Sequence, residues 1–80
     1  MDNKIAVVAV IISDFSATEK VNSIFSDYRD FIKGRLGLPY KERSVAVISV
    51  IMDAPMEVIN GLSGKIGNIE GVSCKVLTTK

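Results

Sequence analysis

The sequence predicts an α+β fold, a ferredoxin-like βαββαβ sandwich with one antiparallel sheet in the order 4-1-3-2 and two helices on one face. Three observations carry this. Residues 4–12, KIAVVAVII, and residues 45–52, VAVISVIM, are apolar on both alternating faces, as strands covered on both sides are. Each run is followed by an apolar stripe at helical spacing: Val21, Ile24, Phe25 and Tyr28 after the first, Met56, Ile59, Leu62 and Ile66 after the second. Two weaker strand segments carry lysine, arginine or serine, which places them at the sheet edges.

In chain order, the first strand ends at Ser13-Asp14-Phe15. Ser16 precedes Glu19 by three residues, a capping box that opens a helix running to about Arg29. Phe31 to Leu36 reads as an edge strand, since Gly34 and two cations suit an edge better than a centre. Residues 37–44, GLPYKERS, read as a turn: Gly37 and Pro39 punctuate it and Lys41-Glu42-Arg43 keep it solvated. The third strand has Ser49 as its single polar residue. Asp53-Ala54-Pro55 reads as a helix start, an aspartate cap with proline in the first turn. Gly67 or Asn68 is expected to stop that helix. Residues 71–78, GVSCKVLT, close the order as a strand with Val72, Cys74 and Val76 on one face and Ser73, Lys75 and Leu77 on the other. Both helices are expected to span about 13 residues. Right-handed crossovers put them on the same side of the sheet.

Eighty residues are expected to form a single domain, 1–80, near the small end for one core. Such a core rarely supplies more than roughly 3–5 kcal/mol, so a disulfide, a metal or oligomerisation usually supplements it. Cys74 is alone and histidine is absent, which leaves oligomerisation. The open sheet face points the same way. Half of the two central strands faces away from the helices, and that half is aliphatic in either register. A homo-oligomer, dimer or tetramer, joined through this face is therefore expected; the alternative is a different protein at the same place.

The formal net charge is +1, from ten basic and nine acidic residues, which is no footprint for nucleic acid, so no direct nucleic-acid binding is expected. A lone cysteine fits a reducing compartment, and the expected location is cytoplasmic. Lys4 followed by IAVVAVII resembles a short signal-peptide core, but Asp14 follows almost at once. Eight apolar residues also fall short of the roughly 20 that span a bilayer. A buried strand and no membrane association are expected.

Catalytic patterns are missing. No C-x-x-C pair is present, and Cys74 alternates with Val72 and Val76 as a small hydrophobe does. The loop after the first strand has neither the paired cysteines of copper chaperones nor the arginine cradle of acylphosphatases. GLSGKIGN, residues 61–68, lacks phosphate-loop spacing and lies in a helical stripe. Asp14, Asp27, Asp30, Asp53 and Glu70 form no pair spaced for acid–base work. No enzymatic activity, no cofactor and no metal are expected.

Three segments, KIAVVAVIISD, FIKGRLGLPYKERSVAVISVIMDAP and LSGKIGNIEGVSCKVL, resemble in order and spacing the small regulators associated with iron-only hydrogenase systems. The most specific element is Gly34-Arg35-Leu36-Gly37-Leu38-Pro39-Tyr40, then Leu62-Ser63-Gly64-Lys65-Ile66-Gly67 with Gly71-Val72-Ser73. The resemblance implies an ACT-like domain, similar in fold to the C-terminal sensor domain of nickel-responsive repressors. Those sensors bind metal through histidines, so nickel sensing does not carry over. Residue 4 already begins the first strand, and a role in transcription is expected to need a partner protein.

ACT-like domains commonly bind small effectors, often amino acids, near the loop after strand 1. The resemblance thus marks Ser13, Asp14 and Phe15, where helix amides would receive an anionic group and Asp14 an amino group. The alternative is that Ser13 and Asp14 only cap the helix, and the glycine usual in ligand-binding members is missing. Gly34, Arg35 and Gly37 form the second candidate group. Gly34 would admit a close approach, Gly37 a positive φ or a bulge, and Arg35 a fork of donors facing opposite to Gly34 and Leu36. Arg35 would anchor a small anionic or amino-acid effector or a partner carboxylate; alternatively it blunts an edge strand or pairs across an oligomer interface. The function expected is that of a homo-oligomeric regulatory or ligand-sensing module. The alternative is a structural interaction module without a small-molecule ligand. An enzyme of dimeric α+β barrel type ranks last, because only Ser49 is polar toward such a cavity.

Overall fold

A computed structural model describes residues 2–79. Its elements are β1 (Asn3–Ile12), α1 (Thr18–Asp27), β2 (Ile32–Tyr40), β3 (Val45–Pro55), α2 (Met56–Gly67) and β4 (Val72–Thr78). The sheet order is β2-β3-β1-β4, the expected 4-1-3-2 read from the other edge, and all three pairings are antiparallel. The apolar central strands are thus inside and the polar-bearing strands outside, as their composition requires.

The core lies between the sheet and the helices. Ala6, Val8, Val10 and Ile12 of β1 meet Ile48, Val50, Met52 and Ala54 of β3, and these pack under Val21 and Phe25 of α1 and Ile59, Leu62 and Ile66 of α2. Every one of these side chains is at most 6% exposed. The helical spacing read from the sequence therefore names the core-facing stripe of both helices, except that Met56 is exposed.

Four boundaries differ from the sequence expectation. The Ser16–Glu19 capping box does not form: Asp14 accepts from the Ser16 amide at 3.0 Å and the Ser16 hydroxyl at 2.7 Å, capping a short 3-10 turn over Phe15–Ala17 that leads into α1. An aspartate already in hydrogen-bond reach takes the role of the later serine. Second, α1 ends at Asp27 rather than Arg29, and Arg29–Phe31 forms a separate 3-10 turn. Third, β2 does not stop at Leu36. Gly37 to Tyr40 continue it opposite Ile48 to Val45, and the turn shrinks to Lys41–Arg43 followed by Ser44 at φ 56°. Pro39 is tolerated because β2 is an edge strand. Fourth, Asp53, Ala54 and Pro55 stay in the ladder opposite Ile5, Lys4 and Asn3. Pro55 has φ −60° and ψ 152°, and α2 begins at Met56 without a side-chain cap. Continuous pairing with β1 outweighs the local capping preference of Asp53. The helices accordingly span 10 and 12 residues.

One irregularity decides what the sheet shows on each side. Ile32 pairs with Met52 and Gly34 with Ile51, so Lys33 is the extra residue of a β-bulge. Without it, Ile32, Gly34, Leu36 and Leu38 would share a face. With it, Ile32 stays on the helix side and Leu36, Leu38 and Tyr40 turn to the other.

Candidate functional site

Residues opposite each other on paired strands share a face. On the side away from the helices, β2 presents Gly34, Leu36, Leu38 and Tyr40 opposite Ile51, Ser49, Val47 and Val45 of β3. On β1, Ile5, Val7, Ala9 and Ile11 meet Asp53, Ile51, Ser49 and Val47. On β4, Leu77, Lys75 and Ser73 complete the rows begun by Val7, Ala9 and Ile11. Leu77 is 73% exposed, Leu36 70% and Leu38 57%; Ile5, Val7, Ile11, Tyr40 and Ile51 are exposed as well. A shallow groove of about 230 Å³ runs along this face between Ile5, Val7, Leu77 and Thr78–Thr79. The exposed aliphatic face inferred from the two central strands is thus present, and β2 extends it further than its sequence reading allowed.

The Ser13–Phe15 group sits at the end of β1 and is tied to the start of β4. The Gly71 carbonyl accepts from the Ser13 amide at 2.8 Å, the Asp14 amide at 3.3 Å and the Ser13 hydroxyl at 3.0 Å. The Asp14 carbonyl accepts from the Ala17 amide at 2.9 Å, and its carboxylate from Ser16. The amides of Ser13, Asp14 and Ser16 are therefore engaged within the chain, and Asp14 caps the turn, as in the capping alternative to effector binding. Hydrogen bonds from the Ser16 hydroxyl and amide hold the Asp14 carboxyl below its ordinary pKa. Phe15 projects into solvent at 51% exposure. Gly71 has φ +81°, and a Cβ there would lie 2.5 Å from the Asp14 Cβ. Gly71, immediately before the neighbouring strand β4, thus packs its backbone directly against Asp14.

The Gly34–Gly37 group splits between the two faces. Gly34 lies on the open side, where a Cβ would make ordinary contact with Ile51 Cδ1 at 3.9 Å. Gly37 has no positive φ and sits in regular strand with open space around it, so the bulge expected there belongs to Lys33. Arg35, opposite Val50, faces the helix side. Its guanidinium lies 5.0 Å from the Phe25 ring centroid and donates to the Asn22 Oδ1. Arg35 therefore joins the edge strand to α1 and stands away from the open face. Its alternation with Leu36 was readable in the sequence; Asn22 and Phe25 as its partners were not, because nothing in the strand's own pattern points across to α1. No hydrogen bond among the described residues joins this group to Ser13–Phe15, and β3 runs between them.

Cys74 is partly buried on the helix side, and burial pushes its thiol pKa up, as expected of a packing residue. Among the described residues, no cluster of three or more His, Cys, Asp or Glu side chains could hold a metal ion, and no helix is long and apolar enough to cross a membrane.

Comparison with known proteins agrees with this geometry. A family profile described as "TM1266-like: Iron-only hydrogenase system regulator, putative" matches residues 4–76. The solved structure of the uncharacterized protein TM1266 from Thermotoga maritima superposes with a TM-score of 0.94 at 26% identity, over 99% of this chain and 100% of that one. A formyltetrahydrofolate deformylase from Pseudomonas putida KT2440 matches with a TM-score of 0.65 at 11% identity, over 91% of this chain but 28% of that one. CPII, a nitrogen regulatory PII-like protein from Thiomonas intermedia K12 solved with ADP, AMP and bicarbonate, matches with a TM-score of 0.52 at 12% identity, over 96% of each chain. The last two show a shared fold. No curated protein sequence matches the chain.

Proposed function

The chain belongs to the TM1266-like family, the iron-only hydrogenase system regulators, and from that premise we propose that residues 1–80 act as one non-catalytic, ACT-like regulatory module in the cytoplasm, working as a homo-oligomer through the open sheet face. The observation that carries this is the row of exposed aliphatic side chains on β2, β3, β1 and β4, led by Leu36, Leu38 and Leu77. Full burial of such a side chain gains roughly 1.5–3 kcal/mol. Because these side chains are 38–73% exposed, covering four of them on each of two subunits gains on the order of 10 kcal/mol, the same order as an association cost of about 4–15 kcal/mol. Asp53 and Lys75 lie on the same face and carry opposite charges, so a second copy meets no net like charge there.

Two versions of the regulatory role follow. In one, a small anionic or amino-acid effector near Ser13–Phe15 or Gly34–Gly37 sets the activity of the assembly. In the other, the module acts only by docking. The engagement of the Ser13, Asp14 and Ser16 amides favours docking at the first loop. The test is genetic and biochemical together. In the source organism, removal of the chain should alter iron-only hydrogenase activity, and the wild-type chain should restore it. A chain carrying Leu36→Lys and Leu77→Lys, folded but unable to assemble, should fail to restore it. Unchanged hydrogenase activity after removal, or full restoration by the lysine variant, would overturn the proposal.

A further inference from the structure

On the helix side, between α1 and the outer edge of β2, lies an open groove of about 290 Å³ lined by Phe25, Ser26, Arg29, Ile32 and Arg35. It is separate from the open apolar face and from the Ser13–Phe15 loop. Two of its five lining residues are arginines, and no carboxylate lines it. Neither hydrogen bond that these guanidinium groups make among the described residues reaches an acid. Arg35 donates to the Asn22 amide oxygen and Arg29 to the Ser26 carbonyl at 3.4 Å. Both cations therefore face the groove without a carboxylate among its lining or their hydrogen-bond partners, and most of their donors remain uncommitted. Arg35 is also held in place: the Phe25 ring lies under it at 5.0 Å and Asn22 fixes one nitrogen, so little rotamer freedom is left to lose on binding a ligand. Ile32, partly exposed, supplies the apolar side of the groove, while the Phe25 ring lies buried beneath Arg35.

We infer that this groove binds a small organic phosphate, its dianionic head between Arg29 and Arg35 and its apolar body against Ile32. Two uncompensated guanidinium groups match a dianion, whereas a single carboxylate would occupy only one fork. The groove is about the size of the smaller ligand pockets of proteins, roughly 300 Å³ and upward. An inorganic phosphate would leave the apolar wall unused. The inference rests on and deepens the effector version of the proposed function at Arg35, and the site does not depend on how the open face assembles.

Phenyl phosphate is a suitable probe, with inorganic phosphate and phenol as its two halves. Followed by amide chemical shifts on the full chain, phenyl phosphate should bind saturably and shift Phe25, Ser26, Arg29, Ile32 and Arg35. Inorganic phosphate should bind more weakly, and phenol should leave these residues unmoved. Each charge-assisted contact is worth about tenfold in affinity or more. Arg29→Gln and Arg35→Gln should therefore each weaken phenyl phosphate binding by at least about tenfold. Arg29→Gln leaves the Arg35–Phe25 packing intact, so it reads the binding contribution even if Arg35→Gln loosens the edge strand. No saturable binding, equal affinity for inorganic and phenyl phosphate, or undiminished binding in Arg29→Gln would each overturn the assignment.

Discussion

Gly71 shows how one residue can hold two distant segments together. Its carbonyl takes three donors from Ser13 and Asp14, and its φ of +81° puts the Cα hydrogen where a side chain would strike Asp14. Gly71→Ala should therefore destabilise the fold by about 1–3 kcal/mol, the cost of a strained backbone position plus the clash. Gly37→Ala, in open space without a positive φ, should change urea stability by less than about 1 kcal/mol. Equal effects of the two substitutions would contradict this reading. Asp14 adds a pH dependence. Its pKa is lowered in the fold, so its contribution is present above the ordinary aspartate value and is lost as pH falls through the lower folded value. Asp14→Asn should thus flatten the loss of thermal stability with acid below about pH 3.9. A melting temperature whose acid slope is the same in wild type and variant would count against that role. Ser13 and Asp14 were visible in the sequence as loop and cap residues; their tie to Gly71 was not, since 58 positions separate Ser13 from Gly71.

Among the elements, the apolar pattern of two runs located β1 and β3 and placed them at the centre, with β2 and β4 as polar-bearing edges. It failed at the ends of β2 and β3 for a common reason. Gly37, Pro39 and the Asp53–Pro55 segment carry strong local signals for turns and caps, yet each lies opposite a partner strand that extends the ladder. Long-range pairing overrode local preference there. The bulge at Lys33 was equally hidden, because an extra residue leaves the strand's composition unchanged. Its consequence is testable. Deleting Lys33 forces the strand either to turn Leu36 and Leu38 toward the helices or to pull Ile32 off the core, at about 2 kcal/mol or more. Lys33→Ala keeps the residue count and should behave as wild type in the same denaturant titration. A deletion as stable as wild type would show that the register does not depend on this residue.

For the whole molecule, the fold consists of one well-covered sheet face and one bare one. Among the described residues, the covered face has fourteen buried hydrophobic residues around it, including Val21 and Phe25 of α1 and Ile59, Leu62 and Ile66 of α2. The bare face repeats the same aliphatic chemistry without a cover. The sequence carried this asymmetry plainly, in two strands apolar on both sides and two helices that can shield only one. It carried less of the candidate sites, since Arg35 meets α1 and the Ser13–Phe15 amides meet Gly71, contacts that depend on tertiary folding rather than on spacing.

On this reading a second copy of the chain covers the bare face. Sedimentation equilibrium of the wild-type chain and of the Leu36→Lys, Leu77→Lys variant, from low micromolar concentration upward, tests it most directly. Assembly through this face gives a wild-type mass of at least twice 8.7 kDa and a folded variant at 8.7 kDa. A wild-type chain that stays at 8.7 kDa throughout, or a variant that assembles as the wild type does, would contradict it.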